Sequence, residues 1–237
     1  GLREGAAVAG LSDLHAGEVI LPGSTPWPNH YDLTVADERL SRFFAGTVWL
    51  IRNARRWAKL RHLVLWFGGD LMAGHIHDEL VESADSPIST LRWLEPRLLG
   101  GIQALLKLPE LEIRLVCSYG NHGRDTAKPR RSTGAAHSYE WLLYQHLADS
   151  LRSEPRVSVL ADPSAHQYVE VYGKTLHFTH GDEAKYQGGV GGITIPLNKA
   201  VAQWDLVRRA DYHHFGHWHQ YVDTGRIVVN GSVCGYN

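Results

Sequence analysis

The chain has 237 residues, 43% of them hydrophobic and 21% charged, a balance that can bury a core and excludes general disorder. Against 25 Asp and Glu stand 24 Lys and Arg, for a net charge of -1, so no bulk positive field holds a polyanion and any phosphate affinity must be local. No stretch of about 18 apolar residues is present to make a membrane span.

The first apolar run, AAVAGLS (6–12), ends at Asp13. A Pro-rich loop follows over 16–35, with Trp27 and Tyr31; such aromatics either stack on a base or pin the loop to the body. Ala36, Leu40, Phe43, Phe44, Thr47, Leu50, Ile51, Ala54 and Trp57 recur at helical spacing and predict a helix over 36–58. HLVLWFGG (62–69) reads as a buried strand stopped by glycine and leads into Asp70. A second helix is predicted over 88–106, with Pro96 as a kink or break. EIRLVCSYG (112–120) is a strand leading into Asn121, and a basic loop over 123–136 carries Arg124, Lys128, Arg130 and Arg131. Ser138 caps a third helix over 138–151. Short strands follow at 157–160, 167–172 and 174–179, the last leading into His180. A fourth helix covers 196–209, and DYHHFG (211–216) leads into His217. Strands at 220–223 and 226–230 close the chain, with turns at Tyr172-Gly173-Lys174 and at 223–226. Strand–helix alternation in the first half predicts a partly parallel sheet, and the strand-rich second half predicts another: an α/β sandwich in one domain, 1–237.

Five strand exits each deliver a residue of metal-ligand type: Asp13-Leu14-His15, Asp70, Asn121-His122, His180 and His217-Trp218-His219. Side chains that follow strands converge beyond the strands' carboxyl ends. Period two on extended backbone would put Asp13 and His15 on one side, and likewise His217 with His219. Imidazole, amide and carboxylate together suit Mn, Fe or Zn. Two dications with only two carboxylates leave about +2 uncompensated, which attracts a phosphate and acidifies a shared water.

The ordered series Ser12-Asp13-Leu14-His15, Gly69-Asp70, Gly120-Asn121-His122, Thr179-His180-Gly181-Asp182 and Gly216-His217-Trp218-His219 resembles the calcineurin-like metallophosphoesterases, and the resemblance spans nearly the whole chain. It implies a four-layer αββα sandwich of two mixed sheets and a dinuclear site. One ion would be held by Asp13, His15, Asp70 and His219, and the other by a bridging Asp70 with Asn121, His180 and His217. The resemblance implies two divalent ions, manganese foremost, with iron, zinc, nickel and magnesium open. A hydroxide bridging them would attack phosphorus in line, and His122 would contact the phosphate and protonate the leaving oxygen. Many members carry an acidic residue after the third block; here Gly123-Arg124 stands there, so Asp125 or Asp78 is expected to orient His122.

Gly120-Asn-His-Gly-Arg124, with Lys128-Pro-Arg130 after it, looks like small phage and prophage members similar to the family's DNA-repair nucleases. That implies a phosphodiester substrate, in DNA, RNA or a nucleotide, contacted by Asn121, His122 and Arg124. A phosphomonoesterase, a nucleotide pyrophosphatase and a non-catalytic interaction scaffold are the alternatives. Cys117 and Cys234 cannot build a disulfide framework and favour a reducing compartment, the cytoplasm of a bacterium or phage-infected cell. Cys117 lies inside an apolar strand and is expected to be inert. His75 and His77 are expected to line the cleft without ligating, His213 and His214 to pack, and His30, His62, His137, His146, His166 and His177 to lie at the surface or core edge. Gly188–Gly192 lacks the Lys-Ser/Thr of a nucleotide-binding P-loop. The strand-and-turn ending at Asn237 leads to the expectation that the native chain continues.

Overall fold

The computed structural model describes residues 2–24, 26, 28–76, 85–185, 188 and 191–235. Strand β1 (Arg3–Leu11) pairs in parallel with β2 (Ala58–Phe67), β2 with β3 (Glu112–Cys117), and β3 with β4 (Val157–Leu160). Parallel neighbours need long crossovers. Helices α1 (Leu33–Ala54), α2 (Pro87–Leu106) and α3 (Tyr139–Leu151) lie in the three connections. All four strands therefore present their carboxyl ends along one edge.

The middle of this sheet is buried on both faces, which is why 63–67 reads as a continuous apolar run rather than an alternation. Leu63, Leu65 and Phe67 face the core formed with the helices. Val64 and Trp66 point the other way and join Val116, Val169, Leu176 and Phe178 in a second core between the sheets.

The second sheet has the order β5-β6-β7-β9-β8. Strand β5 (Gln167–Val171) runs antiparallel to β6 (Lys174–Phe178), and β6 parallel to β7 (Tyr212–Phe215). Strand β7 is parallel to β9 (Ile227–Val229), with the two-residue β8 (Val222–Asp223) antiparallel at the edge. The hairpin between β5 and β6 turns on Tyr172 and Gly173, both at positive φ (49° and 72°), the backbone that matches strand twist. Helix α4 (Thr194–Val207) packs Leu197 and Val201 against Phe215, Ile227 and Val229. Helices, sheet, sheet, helix: this is the expected αββα sandwich, but where two mixed sheets were expected the first is all-parallel and only the second is mixed.

Several boundaries differ from the sequence reading. Helix α1 starts at Leu33, where Asp32 accepts from Val35 N at 2.9 Å, and stops at Ala54. The periodicity that carried it to 58 counted Leu50 and Trp57, which are 60% and 80% exposed; Ala58 already opens β2. Helix α2 runs through Pro96 without a break. It packs closely on α1, and a Cβ on Gly101 would lie 2.2 Å from Phe44. Tyr31 pins its loop: it is fully buried and donates its hydroxyl to Leu14 O. Trp27 lies outside the described residues, as does part of the run 188–192.

Candidate metal centre

The strand ends do not simply continue as extended chain. Asp13, His15, Asp70, His217 and His219 all sit in the left-handed backbone region, with φ between 47° and 73°. For residues other than glycine this costs about 1–3 kcal/mol each and persists only where the surroundings over-determine it. The alternation argument for the Asp13/His15 and His217/His219 pairs is therefore corrected: the members of each pair are aimed by left-handed turns. Backbone bonds hold those turns. After β1, Asp13 N donates to Gly69 O (3.0 Å), His15 N to Asp70 O (2.9 Å) and Ala16 N to Leu71 O (2.9 Å). The Asp13 carboxylate accepts the N–H of His217 with both oxygens, at 2.9 and 3.1 Å.

These turns bring the expected ligands together. Asp13, His15, Asp70 and His180 are buried, and Asn121, His122, His217 and His219 are half-buried at the mouth. His15 Nε2 lies 3.0 Å from His219 Nε2, which lies 3.6 Å from Asp13 Oδ1. His180 Nε2 lies 3.0 Å from Asp70 Oδ2 and 3.2 Å from Asn121 Oδ1. The His217 ring stands edge-on to that of His180, centroids 5.1 Å apart. Donor atoms of Asp70, His180 and His217 lie mutually within 4.8 Å, and so do those of His15, Asp70 and His122. Asp70 belongs to both groups.

Proton placement tests whether a cation fits. His180 Nδ1 faces the Gly68 carbonyl at 2.8 Å and must carry the hydrogen. In the neutral ring Nε2 is then a bare lone pair, directed at two oxygens. A lone pair that faces two oxygens needs a proton or a cation between them. Donors held about 2.1 Å from one ion lie roughly 3.0–3.4 Å apart, close to the separations found here. His15 adds a buried Nδ1, 3.9 Å from Glu18 Oε2 and with no hydrogen-bond partner among the described residues. The residues fit a metal.

Without an ion, the same charges favour a proton on His180 Nε2. Burial raises the Asp70 carboxyl, but His180 and His122 outweigh it and hold it well below the usual carboxylate range. Burial depresses His180, yet Asp70 beside it draws it well above an ordinary histidine. Burial pushes His15 down to about 3, keeping the ring neutral and able to ligate.

His122 donates its backbone N–H to Asp70 Oδ1 at 2.8 Å, and its Nδ1 lies 2.8 Å from Ala73 O. That carbonyl orients the ring, whereas Asp125 accepts from His137 Nδ1 at 2.9 Å. The expectation that Asp125 orients His122 is thus replaced by a main-chain acceptor. Asp78 and His77 lie outside the described residues. Arg124 lines a cleft beside the centre together with Asn121, His180, Arg131 and Asp182. Its guanidinium donates to the carbonyls of Asn121, Thr126 and Ala127, and Arg131 pairs with Asp182 (3.3 Å) and Glu183 (3.0 Å).

Two residues near the centre escaped the sequence reading. Cys234 offers a thiol within 4.8 Å of ring nitrogens of His15 and His219, brought there when Val233 N donates to Asp13 O at 2.9 Å. Glu140, in the first turn of α3, is completely buried beneath Asp70. Burial, then the charge of Asp70, raises its carboxyl to about 7, against the pull of its backbone donors. In sequence an acidic residue in a first helical turn is ordinary; nothing marks this one.

No known family model matches the chain, and no curated protein does. Among solved structures, a conserved uncharacterized protein from Streptococcus pneumoniae, described as a predicted phosphoesterase, is 14% identical with a TM-score of 0.33; the match covers 95% of this chain and 71% of that one. Vps29 from Entamoeba histolytica complexed with zinc is 10% identical with a TM-score of 0.38, over 95% of this chain and 73% of that one. A protein of unknown function from Aquifex aeolicus is 15% identical with a TM-score of 0.31, over 96% and 90%. Likenesses this distant carry no functional weight beside the geometry of the site itself.

Proposed function

We propose that the chain is a metal-dependent phosphoesterase of the calcineurin-like kind, acting on phosphodiesters in nucleic acid or nucleotides. The observation that carries this reading is the position of Asp70, whose carboxylate lies within 4.8 Å of ligand atoms of His180 and His217 in one group and of His15 and His122 in another. Asp13, His15, Asp70 and His219 would hold one divalent ion and Asp70, Asn121, His180 and His217 a second. Manganese, iron or zinc suits this mixture of oxygen and nitrogen donors. When bound, such ions supply Lewis acidity and a water acidified enough to attack phosphorus.

The chain's own residues supply the rest. Asn121, His122 and Arg124 face the phosphate, Arg124 adding positive charge from a fixed position. His122 has Nδ1 anchored on Ala73 O, so Nε2 is the ring atom that delivers a proton to the leaving oxygen. Charge in the cleft supports a diester. Arg131 is already neutralised by Asp182 and Glu183, which leaves less positive charge for a dianionic monoester than for a singly charged diester.

The test pairs metal analysis of freshly purified protein with side-by-side assay of a bis-aryl phosphodiester and an aryl phosphomonoester. About two ions per chain and a dominant diester rate are expected. Full turnover after verified metal removal overturns the metal reading, and a dominant monoester rate overturns the diester preference.

A further inference from the structure

Glu140 sits on the second residue of α3, with its carboxylate sealed beneath the centre. Oε2 accepts the backbone N–H of Asp70 at 3.2 Å and of Gly120 at 2.7 Å. Oε1 accepts those of Leu71 and of Met72, the latter at 3.3 Å. A carboxylate offers about four lone-pair sites, and all four are filled by main-chain donors. Those donors come from two loops far apart in sequence: one carries Asp70, the other Asn121 and His122.

The surroundings are shaped for this contact. Gly123 leaves room for the side chain, since a Cβ there would lie 2.8 Å from Glu140 Cγ. Tyr139 N donates to Gly123 O at 2.8 Å, docking the start of α3 on the second loop. Gly120 allows that loop to approach Asp70, whose Oδ1 a Cβ would meet at 2.1 Å. A buried carboxylate is costly unless fully hydrogen-bonded. A neutral amide could not serve as well, because its NH2 would face two N–H donors. Asp70, at φ 50°, needs such a fixed frame to keep its carboxylate aimed.

We propose that Glu140 is a positioning residue for the metal centre: it clamps the Asp70 loop to the Asn121–His122 loop and sets the spacing between the two ligand groups that share Asp70. This rests on reading the site as a metal centre. Glu140 touches neither ion nor substrate in this role. Its effect passes through backbone N–H groups to residues that do.

The test uses the full chain in three forms, wild type, Glu140→Gln and Gly123→Ala, each loaded with Mn2+. Readouts are ions bound per chain, Mn2+ affinity, the electron paramagnetic resonance signature of an interacting ion pair, kcat and KM separately, and thermal midpoint. Wild type is expected to bind two ions with a coupled signature. Glu140→Gln should weaken Mn2+ binding by about 10–100-fold, lose the coupled signature and lower kcat rather than raise KM. Gly123→Ala displaces the carboxylate without removing it and should shift the same readouts in the same direction. Wild-type affinity, signature and kcat in Glu140→Gln overturn the proposal, whatever happens to the thermal midpoint. So does a Glu140→Gln variant that fails to fold beside a Gly123→Ala variant with unchanged Mn2+ binding, since that makes Glu140 purely structural. If wild type itself takes up no metal, the reading of the centre fails and the proposal falls with it.

Discussion

Among the described residues, two histidine clusters stand in contrast. Beneath α4, His166, His177 and His213 form a chain. Glu183 Oε2 accepts from His166 Nε2 at 3.1 Å, so His166 Nδ1 accepts from His177 Nε2 at 2.9 Å. His177 Nδ1 in turn accepts from His213 Nδ1 at 2.9 Å. Three neutral rings supply three hydrogens for three links. His213 Nε2 is left as a lone pair 3.4 Å from Asp205 Oδ1, another acceptor, which explains why this buried nitrogen has no hydrogen bond. Asp205 is satisfied instead by Arg226 and by Ala210 N. At the strand ends His180 Nε2 faces oxygens of Asp70 and Asn121, a position that takes either a proton or a cation, and His15 Nδ1 finds no hydrogen-bond partner among the described residues. Histidines at similar distances thus make a packed chain with one nitrogen left over in one place and, in the other, a group of nitrogens and oxygens around Asp70 that fits a cation. Distance alone does not separate them; the oxygens of Asp70 and Asn121 gathered beside His180 do.

The largest effect that would sharpen this contrast is expected from Asp70→Asn. It removes the charge shared by both ligand groups and should lower kcat by about three orders of magnitude or more, with metal content falling and the far-ultraviolet circular dichroism unchanged. An active, metal-replete Asn variant breaks the comparison outright. His122→Ala should keep the metal content yet slow turnover by about 10²–10⁴-fold on poor leaving groups, and less on good ones. Chelation should lower the thermal midpoint of the wild type and abolish activity, and adding back Mn2+ should restore both.

His177→Leu attacks the other cluster. Activity and metal content should stay at wild-type levels, while stability falls by about 1–3 kcal/mol, because His166 and His213 lose a buried partner. Denaturant unfolding beside a metal assay measures both. The smallest effect is on pH dependence. Burial, reinforced by His166 and His213, pushes His177 down to about 2, and burial pushes His214 down to about 4. Below the ordinary value near 6.5 the unfolded chain takes up these protons and the folded protein resists them, so stability falls as pH drops from 6.5 toward those values. In His177→Leu that decline should be shallower between pH 6.5 and 4 than in wild type. Parallel slopes would show that His177 is not among the groups responsible.

Much of the site was legible in order along the chain. The seven expected ligands follow apolar runs that become strands or strand ends, and they meet because parallel strands share one edge. His177 was not legible as a core residue. It reads as a polar member of a short strand, and the hydrogen bonds to His166 and His213, with Tyr168 stacked at 4.6 Å, are what make a fully buried imidazole tolerable. Arg124 read as a phosphate contact, yet its guanidinium also braces the loop through three carbonyls, a closure that depends on how 121–127 folds back.

What the sequence by itself determined was the inventory: which side chains with lone pairs stand at which strand exits, and which runs are apolar enough to be buried on both faces. The tertiary structure decided aim. The left-handed turns at Asp13, His15, Asp70, His217 and His219, the carbonyl that orients His122, and the carboxylate of Glu140 under Asp70 all depend on hydrogen bonds between segments distant in the chain. Local pattern carries propensity and burial, but the direction of a side chain at a strand end is fixed by whichever distant backbone groups it must satisfy.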